Sequence, residues 1–524
     1  VVVREPAAKF VLAMETSGLM AAGESWRWIH KAAHRFLRYE LPVNSALALV
    51  TFSGRQVTLE QPLIQVTSQA VRARLADTIP GKYHLATDTA EPGCVSCVLE
   101  EVVERVVRGR EGGTHLVLVT AGGRRQEEDR RRAEELASLH QLRVSVLLLP
   151  PTDSGQFFDR LASRTGGRSH HLANTGYGLD LLLQLNTAFD QVLREESKQL
   201  MEAAETVHLA EYYSSEEGLS RGTFTIDLSL GRDTVFSVYV EDEEDHLVEA
   251  VTFTDSQGKQ YGPFTKMSSH FDPVNIKTIN YLGFKPPFGD PGQLGRPWTY
   301  SIRWSGTRLR SVTRKSLVTV TSKPRSRKES DLLAIELRSS GQSSLPLTVV
   351  ASVTLGKQPV LNATVVLEVE VENENGTVFA LPPLALLDDG RGVPDLVGDD
   401  GLYSGRLSSY PSPGRYRLTA WVTGDAATRA YRETPDPGTR YTGSRILPGP
   451  GALRPTGAFT RRVQGGVVHL DTVPNTDILP PAKVVDLHLL ELEDSLELVW
   501  SCPGGDYLAG TVTGHQLLAS PSLG

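Results

Sequence analysis

The amino-acid sequence predicts a multi-domain chain in which a doubly wound α/β domain is followed by all-β sandwich domains. Its 524 residues exceed the size at which a single hydrophobic core stops growing, so several cores are required. From Phe10 to about Leu200, short apolar strands alternate with amphipathic helices. Beyond Met201 the pattern changes to alternating strands closed by turn residues.

In the first part the strands are read as Phe10 to Met14, Ala46 to Phe52, His115 to Thr120 and Val144 to Leu149. The helices are Trp26 to Leu37, Val95 to Val107, Arg131 to Leu139, Phe157 to Arg164 and Leu179 to Arg194. Apolar strands each followed by a helix imply a mostly parallel sheet with both faces covered. Ligands of such sheets sit at the carboxyl ends of the strands, so function is expected just after Met14 and Thr120.

Beyond Met201, Phe224 to Leu228 and Val235 to Val240 flank Gly231-Arg232-Asp233 as a hairpin, and Val248 to Thr254 is closed by Asp255-Ser256-Gln257-Gly258. Trp298, Tyr300 and Ile302 alternate on one face, and Leu317 to Val320 ends the block before a polar linker, Ser322 to Ser330. A second block from Leu345 to Val422 includes Val365 to Val371 and the alternation Tyr416, Leu418, Ala420, Val422. The stretch rich in Gly, Pro, Thr and Arg that follows reads as an extended connection, and strands at Val485 to Leu489 and Leu496 to Trp500 open a further domain. The expected boundaries are 8–200 for the α/β domain, 205–322 and 345–424 for two sandwiches, 425–479 for a linker and 480–524 for a truncated last domain.

Hydrophobic residues make up 40% and charged residues 22%, an ordinary globular composition. A net charge of −8 and the lack of long basic runs exclude nucleic acid as a partner, since a phosphate backbone needs clustered Lys and Arg. The longest apolar run, Val144 to Leu149, is far too short to cross a bilayer, so no transmembrane segment is expected. Opening at Val1 without a signal segment and stopping at Gly524 in mid-pattern, the chain reads as a piece of something larger. The cysteines Cys94, Cys97 and Cys502 provide no disulfide framework. Two glycosylation sequons begin at Asn362 and Asn375, in segments that a secreted surface would present.

The segment Phe10 to Met20, FVLAMETSGLM, together with Ala46 to Phe52 and the later LVLVTAGG, resembles a von Willebrand factor A domain. Further along stand Gly295-x-x-Trp298-x-Tyr300-Ser301 and LLDDGRGVPDLVGDDGLYS at Leu386 to Ser404. PPAKVVDL at Pro480 to Leu487 and Trp500-x-x-Pro503-Gly504-x-Asp506-Tyr507 look like the opening of a fibronectin type III domain. In this order the features resemble the calcium-activated chloride channel regulators, over nearly the whole chain. The resemblance implies a secreted protein, or one on the extracellular face of the plasma membrane, that modulates calcium-activated chloride conductance by binding a membrane channel or another extracellular protein. It also implies an upstream zinc protease domain. No His-Glu-x-x-His occurs in this sequence, so neither the zinc nor the peptidase activity carries over, and the chain is not expected to be an enzyme.

An A domain holds Mg²⁺ with oxygen ligands from an Asp-x-Ser-x-Ser loop, a Thr loop and a second Asp. Here Glu15 stands for the first Asp, Ser17 survives, Leu19 replaces the second Ser and Ala121 replaces the second Asp. Leu and Ala carry no oxygen ligand, and Mg²⁺ demands near-ideal octahedral geometry, so the reading is a degenerate metal site. Thr87 and Thr89 lie near the place of the Thr loop. His30 and His34, four apart on a helix, lack the Glu and third ligand of a zinc site, and Cys94-x-x-Cys97 without a second pair reads as packing cysteines. Asp388, Asp389, Asp395, Asp399 and Asp400 in one glycine-bearing loop suit the flexible oxygen coordination of Ca²⁺, with Asp389, Asp395 and Asp399 as the bridging set. Glu15-Thr16-Ser17-Gly18-Leu19 is not a nucleophile elbow, so Ser17 is not read as catalytic. The leading expectation is an extracellular binding protein that regulates chloride conductance through its A-like domain. The alternatives are a secreted matrix or adhesion protein and a non-catalytic part of a secreted zinc metalloprotease.

Overall fold

The computed structural model describes residues 8–42, 44–81, 92–107, 113–121, 127–149, 155–172, 178–195, 204–213, 218–240, 247–264, 277–278, 288–289, 292–305, 315–326, 331–340, 346–373, 375, 377–391, 395–432, 440–442, 445–447, 453–473, 479–492, 495–507 and 510–518. They fall into two compact units, Val1–Ile226 with Leu230–Arg325, and Asp227–Ser229 with Ser326–Gly524.

The first unit opens with β1 (Lys9–Glu15), β2 (Ala46–Ser53), β3 (Gln56–Gln65), β4 (Thr114–Ala121), β5 (Arg143–Leu149) and β6 (Ser169–His171) in one sheet ordered β3-β2-β1-β4-β5-β6. All pairings are parallel except β2 with β3. The helices are α1 (Ser25–Arg35), α2 (Gln69–Asp77), α3 (Val95–Glu101), α4 (Glu127–Leu139), α5 (Gly155–Thr165) and α6 (Gly178–Glu195), with α1 and α3 running on into π-helical turns at Phe36–Glu40 and Val102–Val107. Successive side chains of a strand point to opposite faces. Phe10, Leu12 and Met14 therefore share a core with Ile29, Leu185 and Phe189 of α1 and α6, while Val11 and Ala13 share another with Val98, Ala133 and Phe158 of α3, α4 and α5. This is the doubly wound von Willebrand factor A-like architecture expected from the alternation of strands and helices. β3 went unread because its residues are exposed or half-buried along the sheet edge and include Thr58, Glu60 and Gln61, so it shows no apolar run.

Next come β7 (Glu205–Tyr213), β8 (Leu219–Thr225), β9 (Leu230–Val240), β10 (Leu247–Thr254), β11 (Gln260–Phe264), β12 (Lys277–Thr278), β13 (Pro297–Ser305) and β14 (Lys315–Pro324). They form two sheets, β11-β10-β13-β8 and β12-β9-β14-β7. The hairpin expected around Gly231-Arg232-Asp233 does not form. β9 runs through these residues, and β8 and β9 lie in different sheets. Gly231 and Asp233, with φ of 124° and 47°, bend the strand where its register against β14 shifts, so residues that favour turns make an irregularity inside a strand. Ser322, read as linker, is fully buried within β14. Trp298, Tyr300 and Ile302 are inward and fully buried, as their alternation requires. Tyr239 and Leu317 of this sandwich belong to the same apolar cluster as α1 and α6, and the Arg194 guanidinium of α6 donates to the Ala204 carbonyl at 2.9 Å and pairs with Glu205 at 3.0 Å. The segments read as separate domains at 8–200 and 205–322 thus share a core.

The second unit contains β15 (Leu333–Ser339), β16 (Thr348–Leu355), β17 (Gln358–Leu361), β18 (Thr364–Asn373), β19 (Val378–Ala380), β20 (Leu384–Leu386), β21 (Leu402–Arg406), β22 (Gly414–Gly424), β23 (Arg429–Tyr431), β24 (Arg440–Thr442), β25 (Arg445–Leu447), β26 (Leu453–Pro455), β27 (Phe459–Leu470), β28 (His488–Leu492) and β29 (Ser495–Val499). Val365, Leu367, Val369 and Val371 of β18 face Tyr416, Leu418, Ala420 and Val422 of β22 across one register. The stretch 425–479, read as a linker, instead supplies β27, which pairs with β22 from Gly414↔Leu470 to Gly424↔Phe459. A buried Arg461 at an inward position and a register shift beside Gly465-Gly466 disguise its alternation. Arg461 is neutralised within this unit by an ion pair to Asp227. β28 and β29 form a hairpin that leaves Leu489, Leu490 and Leu496 exposed.

The aromatic core of the first sandwich yields a direct test. Trp298 stacks edge-on to Phe288 at 4.8 Å and lies 5.5 Å from Tyr261. Trp298→Ala should cost about 3 kcal/mol or more, read as a lowered denaturation midpoint, because the cavity adds to the lost transfer energy.

Candidate functional site

The strand order reverses between β1 and β4, so the crevice of the sheet opens at the carboxyl ends of these two strands. Glu15 closes β1 there and is fully buried. Its Oε1 accepts from the Ser17 hydroxyl at 2.7 Å and the Gly93 amide at 2.9 Å; its Oε2 accepts from the Ala121 amide at 3.0 Å and from the Thr120 hydroxyl. A carboxylate offers about four lone-pair sites, and these four neutral donors are among its partners. Gly93 is required by this close approach, since a Cβ there would lie 2.3 Å from the Phe52 ring.

Of the residues aligned with an A-domain metal site, Ser17 is bonded to Glu15 and Ala121 gives only its amide. Leu19 packs against the apolar core. Thr87 and Thr89 lie outside the described residues. This donor set does not fit Mg²⁺. The Ser17 and Thr120 hydroxyls are donated to Glu15, and Leu19 and Ala121 bring no side-chain oxygen with which to complete an octahedral shell. Sequence reading missed Gly93 and Thr120 as partners of Glu15. Thr120 stood visibly at a strand end, whereas nothing in the sequence marks Gly93. The Ser17 hydroxyl, donated to Glu15 and fully buried, is not placed as a nucleophile. His30 and His34 stack on α1 with ring centroids 6.3 Å apart, and burial together with the His34 ring lowers the His30 pKa.

Cys94 and Cys97 are joined in a disulfide, which corrects their reading as packing cysteines. Spacing alone could not distinguish the two states.

The acidic loop between β20 and β21 gathers a different set from the one expected. Asp388, Asp395 and Asp400 bring carboxylate oxygens within 4.8 Å of one another, and among the described residues this group alone has ligand atoms close enough to share a cation. Asp389 turns away to Arg391, accepting its amide at 3.1 Å and pairing with its guanidinium at 3.1 Å, and Asp399 stands outside the group in a left-handed conformation with φ of 63°. Asp388 accepts the amides of Asp400 and Gly401 at 3.1 and 2.9 Å; Asp395 accepts those of Asp389, Gly390 and Val397, each at 3.1 Å. Burial, reinforced by Asp400 and Asp395, pushes Asp388 up to about 7. Burial also raises Asp395 and Asp400, which have Asp400 and Asp399 respectively as repelling neighbours.

No family model matches the chain. It is 26% identical over 535 residues to calcium-activated chloride channel regulator 2 of Mus musculus, a match covering 98% of this chain and 52% of that protein. Its curated homologues are calcium-activated chloride channel regulators. Regulator 1 of Homo sapiens is 25% identical over 552 residues, covering 98% of this chain and 53% of its own length. The chain thus spans about half the length of the curated relatives it matches, and these are named as regulators, not enzymes. Among solved structures it is similar to a von Willebrand factor type A protein from Catenulispora acidiphila, with a TM-score of 0.29 and 10% identity, covering 72% of this chain and 65% of that one. Proximal thread matrix protein 1 of the mussel byssus, with a zinc-occupied MIDAS motif, gives a TM-score of 0.29 at 14% identity, covering 40% of this chain and 50% of its own.

Two predictions follow from the geometry of these carboxylates. Glu15→Ala strands the donors of Ser17, Gly93, Thr120 and Ala121 in a buried place, and should destabilise the A-like domain by about 3 kcal/mol or more in chemical denaturation. For Asp388 the folded state keeps a proton up to about pH 7, while an unfolded carboxyl has released it. The folded state thus binds more protons across that window, and stability conferred by the loop should fall as pH rises from the ordinary carboxyl range to about 7. Asp388→Asn should flatten that part of the melting-temperature profile.

Proposed function

We propose that this chain is part of an extracellular protein that regulates calcium-activated chloride conductance by contacting a membrane chloride channel through its A-like domain. The observation that carries this reading is the likeness to chloride channel regulators along 98% of the chain, through the A-like domain and both sandwich regions in one order. An extracellular setting is supported by Asn362 and Asn375, both exposed and open to glycosylation. No helix among the described residues is long and apolar enough to cross a membrane. Because Glu15 accepts from Ser17, Gly93, Thr120 and Ala121, and Leu19 and Ala121 bring no side-chain oxygen, the contact in this reading is made by protein surface around the crevice and not by a partner carboxylate completing a Mg²⁺ shell. Ca²⁺ enters this reading at Asp388, Asp395 and Asp400, where a divalent ion would offset the mutual repulsion of the carboxylates.

The purified chain, applied to the outer face of cells carrying calcium-activated chloride current, should change that current. An unaltered current at saturating chain concentration removes the proposal. A channel captured by the chain should stay bound when EDTA is added, and calorimetry of the chain with Mg²⁺ should give no one-site isotherm at Glu15. Millimolar Ca²⁺ should raise the melting temperature of the second unit, by mass action on the folded state, and Asp388→Asn should abolish the rise.

A further inference from the structure

The disulfide between Cys94 and Cys97 sits at the start of α3, one residue after Gly93, whose amide reaches Glu15. Both cysteines are partly exposed and line a groove of about 620 Å³, walled by Arg55 and Arg131 and by the acidic Glu128 and Glu135. An ordinary structural disulfide ties distant segments together and closes a long loop. This one spans 3 residues, so it restrains little of the unfolded chain, and its placement calls for another account. The segment it closes is held to the rest of the domain by a short series of polar contacts. The Cys94 amide donates to the Gly54 carbonyl at 2.7 Å, the Gly93 amide donates to Glu15 at 2.9 Å, and the Val95 and Ser96 amides donate to Asp129 of α4 at 3.3 and 2.8 Å. The Cys97 amide donates to Cys94 Sγ at 3.1 Å, and that sulfur lies 3.5 Å from Asp129 Oδ1.

We propose that Cys94 and Cys97 form a thiol–disulfide exchange site whose substrate is a dithiol, and that its redox state sets how firmly Gly93 holds the Glu15 carboxylate. An incoming thiolate attacks one sulfur of the pair, and the Cys94–Cys97 bond breaks as a mixed disulfide forms. The second thiol of the reductant then displaces the protein sulfur and leaves as a cyclic or intramolecular disulfide. Two electrons and two protons pass from the dithiol to the protein, which is left with two thiols. Asp129 Oδ1 is within reach of a proton on Cys94 Sγ, so the reduced cysteine gains a hydrogen-bond partner that the disulfide sulfur does not use. With the covalent tie released, Gly93 and Cys94 are held by non-covalent contacts, and the amide of Gly93 is a lid on one side of the buried Glu15 carboxylate.

The test uses the full chain and dithiothreitol as the probe. Cys502, the exposed free cysteine, is first blocked with iodoacetamide and serves as the internal control. After graded dithiothreitol under native conditions, newly formed thiols are trapped with N-ethylmaleimide and located by mass mapping. Cys94 and Cys97 should acquire label together at millimolar reductant while the chain keeps its folded melting transition. Amide exchange at Gly93 should speed up by about tenfold or more in the reduced chain. The double variant Cys94→Ser with Cys97→Ser should reproduce the fast exchange without reductant. Label that enters only after the chain is unfolded by denaturant overturns the exchange site. Reduction that leaves the Gly93 exchange rate unchanged overturns the coupling to Glu15, as does a double variant that exchanges like the oxidised chain.

Discussion

The A-like domain is organised around one buried carboxylate that accepts hydrogen bonds from two hydroxyls and two backbone amides. Glu15 ends the central strand of the sheet and draws in the turn after it through Ser17, the next strand through Thr120 and Ala121, and the start of α3 through Gly93. A charge taken out of water is tolerated only where hydrogen bonds replace its hydration. These partners contribute to that replacement, and the same contacts fix the carboxyl ends of β1 and β4 to one another. The longer side chain of Glu, compared with Asp, reaches donors at the far side of the crevice. The positions that would have shared a metal ion are free to become Leu19, which packs into the apolar core, and Ala121, which contributes only its backbone.

The acidic loop of the second unit is the opposite solution to the same electrostatic problem. Asp388, Asp395 and Asp400 also accept backbone amides, yet their carboxylates face one another within 4.8 Å. Asp389, one residue from Asp388, is instead paired with Arg391 and shows how the loop disposes of a charge it does not gather. One chemical group, the carboxylate, thus serves as an anchor in the A-like domain and gathers into a cluster in the sandwich. The difference lies in whether the neighbours of each carboxylate are donors or other carboxylates.

Both chemistries sit on frames whose legibility differed. The β1 alternation, with Phe10, Leu12 and Met14 on one face and Val11 and Ala13 on the other, could be read directly because both faces are apolar and the helices between strands are long. Trp298, Tyr300 and Ile302 were equally plain, since large aromatics at every second position have few alternatives to a sandwich core. β27 was hidden because a buried Arg461 and a glycine pair imitate linker composition, and β3 because an edge strand need not be apolar. The choice of Asp388 over Asp389 in the acidic group depends on the direction of each side chain around a tight loop, which composition does not encode.

What the sequence by itself determined is the succession of an α/β domain and sandwiches, the loss of oxygen ligands at Leu19 and Ala121, and the likeness to chloride channel regulators, because these rest on residue identity and order along the chain. Only the tertiary structure decided that Gly93 and Thr120 converge on Glu15, that Cys94 and Cys97 are bonded, and that β27 completes the second sandwich. Those outcomes depend on distances between residues up to 105 positions apart in the chain, and a hydrogen bond or a disulfide forms on separation and direction in space.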